Sequence, residues 1–387
     1  MQRNRRVNKG QDLWQVAALF LRLGATAFGG PAAHIALIER ECVQRRRWIT
    51  REQFLDVLGV ANLVPGPTST ELAMHVGRLR AGWPGLVAAG LAFILPAALL
   101  IGLLAALYVR AGDLPVVRGV SAAIQPVALV MVLQALLSIG PAAVRSVPLV
   151  VIALGATGAA LAGVPEILVL LASGAVALVA SLGRRRGTGQ KALILSLTLA
   201  GGALLLAAEG DRVPSIDVFG YFLRVGSLLF GSGYVLLPVL QGDLVERLGW
   251  LTDRQLLDAI AAGQATPGPL FTTATFIGYL LGGPGVAVIA TVAMFLPAFV
   301  FTALSSLVLE RLSASRHARA FLDGVNAAAV ALILVVVITL ARTAFSGPLP
   351  VAVGILAAVA ILIARFNPSW MLLGAALTGA AVGLITK

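Results

Sequence analysis

Stretches of 17 residues or more without a charged side chain recur along this 387-residue chain, among them 147–164, 167–183, 192–208 and 283–309. An apolar helix of about 17–25 residues matches the hydrocarbon thickness of a bilayer. Runs of this length, repeated along one chain, leave too little polar surface to cover a water-soluble globule. Composition agrees: 59% of residues are hydrophobic and 12% are charged, against about 25% charged in an ordinary soluble domain. The expected class is an all-α polytopic membrane protein. The 42 glycines and 19 prolines fit that class, because lipid-embedded helices use small residues for close packing and tolerate breaks that line protein or a cavity.

The formal net charge of +12 does not point to nucleic acid. Lys and Arg fall between the apolar runs, without interleaved aromatic residues, as the positive-inside tendency explains. Cys42 is the one cysteine. It allows no intrachain disulfide and belongs to no metal-ligand spacing, so no metal or other cofactor is expected. Arg3, Arg5, Arg6 and Lys9 precede an apolar stretch that ends in Ala25-Thr26-Ala27, the outline of a cleavable signal. Arg22 interrupts that stretch, and the same pattern recurs deep inside the chain, so it is read as part of the working protein.

The recurrence is a duplication with a shift of about 202 residues. Phe20-Leu21-Arg22-Leu23-Gly24 aligns with Phe222-Leu223-Arg224-Val225-Gly226, and Trp48-Ile49-Thr50 with Trp250-Leu251-Thr252. Gln53 and Asp56 align with Gln255 and Asp258, and Pro65-Gly66-Pro67 with Pro267-Gly268-Pro269. Roughly a third of the positions are identical across this ungapped stretch. Internal repeats of this kind are common in secondary transporters.

Charge distribution sets the relative orientation of the copies. Residues 39–52 carry five Arg, whereas 241–254 carry Asp243, Glu246 and Asp253 against Arg247 and Arg254. The next equivalent loop changes the other way, gaining Arg311, Arg316 and Arg319. Equivalent loops therefore belong on opposite faces, which makes the repeats inverted. The expected organisation is a cytoplasmic basic N-terminus (1–12), a first repeat (13–183), a basic loop and linker helix (184–214) and a second repeat (215–387). Within the first repeat, 13–44 and 50–80 are expected to dip into the membrane and return. Spans follow near 84–108, 118–139, 147–164 and 166–183. The linker run 192–208 supplies the extra crossing that inversion requires.

Two breaks recur. Phe28-Gly29-Gly30-Pro31 is matched by Phe230-Gly231-Ser232-Gly233, and Val64-Pro65-Gly66-Pro67 by Thr266-Pro267-Gly268-Pro269. Proline ends the helix before it and suits the first turn of the next. Pro67 and Pro269 should open half-helices whose free N–H groups and positive dipole end make an anion site. Thr68, Ser69, Thr70, Thr272 and Thr273 follow with hydroxyl donors, and Asn62 and Gln264 add matched amides.

These breaks, with Trp48-Ile49-Thr50 and Gln53 between them, resemble the long, two-domain chromate transporter family from about residue 13 to the C-terminus. The resemblance implies export of chromate, a sulfate-like divalent oxyanion, across the bacterial inner membrane, and chromate resistance. Gly231-Ser232-Gly233 departs from the pattern by lacking the proline. The implied partners are a chromate- or sulfate-like oxyanion and the lipid bilayer; a homodimer is allowed.

Charges inside the membrane are costly and point to function. Arg22 and Arg224 occupy matched positions and could draw an anion inward. Glu71, His34 and His75 are the candidates for a coupling proton. Asp56 and Asp258, close after the interfacial Trp48 and Trp250, are expected to face water. No Walker motif is present, so energy would come from a gradient. Sulfate or another oxyanion is the alternative substrate, and an anion channel the alternative class. The absence of a nucleophile–base pair or His/Cys cluster argues against an enzyme.

Overall fold

The computed structural model describes residues 9–28, 30–62, 64–111, 114–183, 214–229, 233–307 and 316–385. The linker run 192–208, Gly29 and Gly231 lie outside the described residues. Among the described residues the regular elements are all helices, joined by short loops, with no sheet.

The first repeat begins with α1 (Lys9–Thr26) and α2 (Gly30–Glu39), which continues into a π turn, Arg40–Arg45. Next come α3 (Arg51–Ala61) and α4 (Thr68–Ala111). Thr50 caps α3 in a reciprocal box: its hydroxyl accepts from the Gln53 amide N–H, and its own N–H donates to the Gln53 side chain. Thr252 and Gln255 repeat this box at α10 (Asp253–Ala265). The Trp-Ile-Thr motif of the repeats is thus, in part, a helix-start device.

α4 is 44 residues long, about 66 Å if straight, far more than a bilayer needs. It is two arms joined at Ala81 and Gly82, where Gly82 takes a φ of 69°. A Cβ on Gly77 would overlap the Gly85 carbonyl and lie 2.7 Å from the Ala89 Cβ. In a straight helix residues 77 and 85 stand about 12 Å apart, so the arms fold back on each other. The short arm 68–80 reaches about 20 Å, and the long arm 84–111 spans about 42 Å. Arg80, at the end of the short arm, pairs with Asp12 at the start of α1 and lies 5.5 Å from the Trp48 ring centroid. Both leading segments therefore enter and leave on one face, as the sequence predicts.

The second repeat copies the plan. α8 (Ser215–Leu228) leads through a 3-10 turn to α9 (Leu236–Leu240) and a π turn, Gln241–Arg247. After α10, α11 (Thr273–Ser305) doubles back at Gly282 and Gly283, where a Cβ on Gly278 would lie 2.7 Å from the Ala290 Cβ. Gly77→Leu or Gly278→Leu should lower the thermal midpoint of detergent-purified protein. Overpacking a tight contact costs about 1–3 kcal/mol or more, and backbone carbonyls are the atoms in the way.

The long arms of α4 and α11 run antiparallel. Gly90 of α4 faces Phe299 of α11, and His75 Nε2 lies 3.3 Å from Ser305 Oγ, so the early part of α4 meets the late part of α11. Gly102 and Tyr108 in turn meet Thr275 and Phe276 near the start of α11. That is inversion, written in contacts. Each long arm also shows an exposed apolar ladder at four-residue intervals: Leu91, Leu95, Leu99, Leu103 and Leu107 on one, Val288, Val292, Leu296, Val300 and Leu304 on the other. Such a stripe has no place against water and faces lipid tails.

α5 (Pro115–Ala143), α6 (Val147–Leu161) and α7 (Glu166–Gly183) complete the first repeat. α12 (Arg316–Ala344), α13 (Pro348–Ala358) and α14 (Pro368–Ile385) complete the second. Their packing crosses between repeats: α5 lies against α13 and α14, and α12 lies against α6 and α7. Gly119 and Gly379 let the α5 and α14 backbones touch, and Gly324 does the same against Ser173 of α7. The repeats are intertwined.

Candidate oxyanion site

Ala27, just past the end of α1, and Leu229, just past the end of α8, are matched by the 202-residue shift. So are Gly66 and Gly268. The Gly268 N–H donates to the Ala27 carbonyl at 3.0 Å, and the Gly66 N–H donates to the Leu229 carbonyl at 2.7 Å. Each Pro-Gly-Pro loop is thereby tied to the first break of the other repeat, twice and symmetrically. Gly66 has a φ of 136° and Gly268 a φ of 97°, conformations that L side chains rarely adopt. Ala298 of α11 backs Gly66, and Ala97 of α4 backs Gly268.

Pro65 ends the approach from α3, and Pro67 caps α4: its carbonyl accepts from the N–H groups of Thr70 and Glu71 at 2.8 and 3.1 Å. Pro269 does the same through a 3-10 turn, Leu270–Thr272, accepting from the Thr272 N–H at 3.0 Å. Pro267 closes the segment before Gly268. Both half-helices start where the prolines predict.

The polar groups then divide. In the second repeat, the hydroxyls of Thr266, Thr272 and Thr273 bond back to the carbonyls of Gly263, Pro269 and Leu270. In the first repeat, Thr68, Ser69 and Thr70 are buried at the α4 start. The Thr70 hydroxyl has no hydrogen-bond partner among the described residues. Thr302, one turn beyond Ala298 on α11, also carries an unpartnered buried hydroxyl. Asn62 and Gln264, matched in sequence, part company: Asn62 is exposed at the end of α3, while Gln264 is buried.

His34 of α2 joins the two loops. Its Nε2 lies 3.0 Å from the Ala27 carbonyl, the oxygen that also receives Gly268 N–H, and its Nδ1 lies 3.4 Å from the Ser69 hydroxyl. One imidazole and one carbonyl thus connect the α4 start to the opposite loop. Gly30, with a φ of 74°, and Pro31 form the first turn of α2. A Cβ on Gly30 would lie 2.8 Å from the Tyr234 hydroxyl, which also interacts with the Gln264 side chain. Tyr234 escapes the repeat comparison because the first copy has Ala32 there. Its signal was the difference between the copies at a shared break.

Arg22 and Arg224 are held in matched ion pairs. Arg22 pairs with Glu41 at 2.8 Å, joined by Arg45 and Arg46; Arg224 pairs with Asp243 at 2.7 Å, joined by Arg247. Glu41 and Asp243 obey the same shift, a signal available in the sequence. These networks pin α1 and α8 to the returning π turns. Arg224→Gln should therefore act mainly on stability. Breaking a buried pair typically costs about 3–5 kcal/mol, and the pair remains partly served by Arg247. A melting curve set beside a half-saturation measurement separates this outcome from loss of anion affinity.

Asp258 corrects an expectation. It is buried, not water-facing, because Tyr108 Oη donates to its Oδ2 at 2.9 Å and Gln125 Nε2 to its Oδ1 at 2.8 Å. It ties α10 of the second repeat to α4 and α5 of the first. Asp56 is exposed, as expected. No group of three or more metal-ligating side chains occurs among the described residues.

A family profile described as "Chromate transporter" matches residues 14–178 and again 216–380. The chain is 36% identical to a chromate transport protein of Pseudomonas aeruginosa, over 85% of this chain and 81% of the relative. It is 31% identical to a chromate transport protein of Cupriavidus metallidurans, over 95% and 92%. A probable chromate transport protein of Synechococcus elongatus is 29% identical, over 87% and 86%. No solved structure matches the chain significantly.

Proposed function

Because the chain belongs to the chromate transporter family, we propose that it is a secondary transporter that exports chromate across the bacterial inner membrane and so confers chromate resistance. The observation that carries the reading is the reciprocal tie between the Pro-Gly-Pro loops and the opposite breaks. It brings the α4 half-helix start, Ser69, Thr70 and Thr302 toward the junction of the two inverted repeats. A tetrahedral dianion has four oxygens, and neutral donors with a helix N-terminus suit it without requiring a buried countercharge. Rocking of one helix bundle of the intertwined repeats against the other would expose such a junction to each face in turn. Export of a dianion from a negative interior is favoured by about 4.6 kcal/mol per 100 mV.

Sulfate has the same shape and charge as chromate and is the second reading, since these donors do not distinguish the two. Inside-out membrane vesicles decide between them. Saturable chromate accumulation, weakly inhibited by sulfate, supports the chromate assignment; stronger uptake of sulfate than of chromate reverses it. Flux that does not saturate would mark a channel. Sidedness has its own test. Single cysteines in the 39–52 loop should react with an impermeant thiol reagent from the cytoplasmic face, and those in the 241–254 loop from the periplasmic face, in a Cys42→Ser background.

A further inference from the structure

Glu71 is the group the transport scheme leaves without a purpose. It is fully buried, and neither carboxyl oxygen has a hydrogen-bond partner among the described residues. Its side chain turns back toward the Pro-Gly-Pro loop, so that a Cβ on Gly66 would overlap its Oε1. A carboxyl is thus held at the N-terminal end of a half-helix, against the Pro-Gly-Pro loop, where the proposed oxyanion would go. A structural carboxyl at such depth would be paired, as Glu41, Asp243 and Asp258 are.

Among the described residues no cation pairs with this carboxyl. On α4 itself, His75 lies one turn further and faces Ser305, Arg78 lies over the Trp83 ring, and Arg80 is committed to Asp12. From α2, His34 is engaged by the Ala27 carbonyl and Ser69. The long arm of α11, 284–305, has no ionisable residue and offers Thr302 and Ser305. The long arm of α4 has none between 84 and 107. At the α8 tip the neighbour is Leu229, while Arg224 is committed to Asp243. The second repeat has Thr273 at the position of Glu71, Leu236 at that of His34 and Ile277 at that of His75. A symmetric backbone frame therefore holds its carboxyl and imidazole groups on one side only.

We propose that the Glu71 carboxyl is a proton-carrying gate that occupies the oxyanion's place in the first loop. The inference rests on the oxyanion site proposed above. A carboxylate and a dianion cannot share one small site, because their repulsion is unscreened there. Opened to water and empty of anion, the site lets Glu71 ionise; the carboxylate takes up one proton from water as the anion arrives, turns aside as the neutral acid, and gives the proton up once the anion has left and water refills the site. Anion movement and proton movement become linked through one side chain.

The test uses purified full-length protein in liposomes with the membrane potential clamped, at pH 8, where chromate is a dianion. Chromate flux and internal pH are recorded together. The wild type is expected to move protons with chromate in a fixed ratio. In Glu71→Gln the protons moved per chromate should fall at least tenfold, and the chromate flux that remains should not respond to an imposed pH gradient. Glu71→Thr, which installs the residue of the second repeat, provides an independent variant if the amide folds poorly. Chromate flux without protons in the wild type, or an unaltered proton ratio in both variants, overturns the gate while leaving the oxyanion site standing. Absence of both chromate and sulfate flux in the wild type overturns the site itself, and the gate with it.

Discussion

Gly66→Val and Gly268→Val should each reduce chromate transport at least a hundredfold in protein that still inserts in the membrane. At φ values of 136° and 97°, a β-branched residue is strained by about 1–3 kcal/mol from backbone conformation alone. The side chain then has nowhere to go. At Gly66 it meets the Glu71 carboxyl and Ala298, and at Gly268 it comes within 2.6 Å of the Ala97 Cβ. Each glycine is also the donor that ties its loop to the other repeat. Relief of the clash therefore moves the N–H away from Ala27 or Leu229 and opens the crossing. The capping boxes and ion-pair networks lie elsewhere, so membrane insertion and most of the helical content should persist. Flux per folded protein, with circular dichroism on the same sample, checks both statements.

The second large effect concerns the intertwining of the repeats. A chain cut between residues 183 and 214, with only one part expressed, should give no transport; expression of both parts together should restore it. Alone, the first part has α5 without α13 and α14, and the second has α12 without α6 and α7. The core formed by Ala123, Val127, Val130 and Met131 with Ala357, Ile361, Leu372 and Ala375 exists only when both parts are present. In lipid such contacts are held by packing, not by exclusion of water, so they form only if the matching surfaces meet. Chromate sensitivity of cells carrying one part, or both, reads the outcome directly.

Much of this architecture was legible because inversion leaves traces in one dimension. The shift of about 202 residues located both pairs of breaks, and the change of charge between equivalent loops gave their opposed orientation. Even the turn inside α4 was bracketed, since an expected segment ends at 80 and the next span begins at 84. What sequence could not show was which surfaces pair. Glu41 and Asp243 look like ordinary loop charges until Arg22 and Arg224 are placed beside them. Asp258 reads as an interfacial residue because its partners, Tyr108 and Gln125, are 150 and 133 positions away. The repeat comparison also favoured what the copies share, whereas Tyr234 and Glu71 stand where they differ.

The most direct measurement is chromate influx into liposomes containing only the purified protein, with Gly66→Val and Gly268→Val proteins at equal density. The account predicts saturable influx in the wild type, near-background influx in both variants, and equal loss from either loop, because the crossing is reciprocal. Normal transport by either variant would contradict it, since one of the two loops would then have no part in moving the anion.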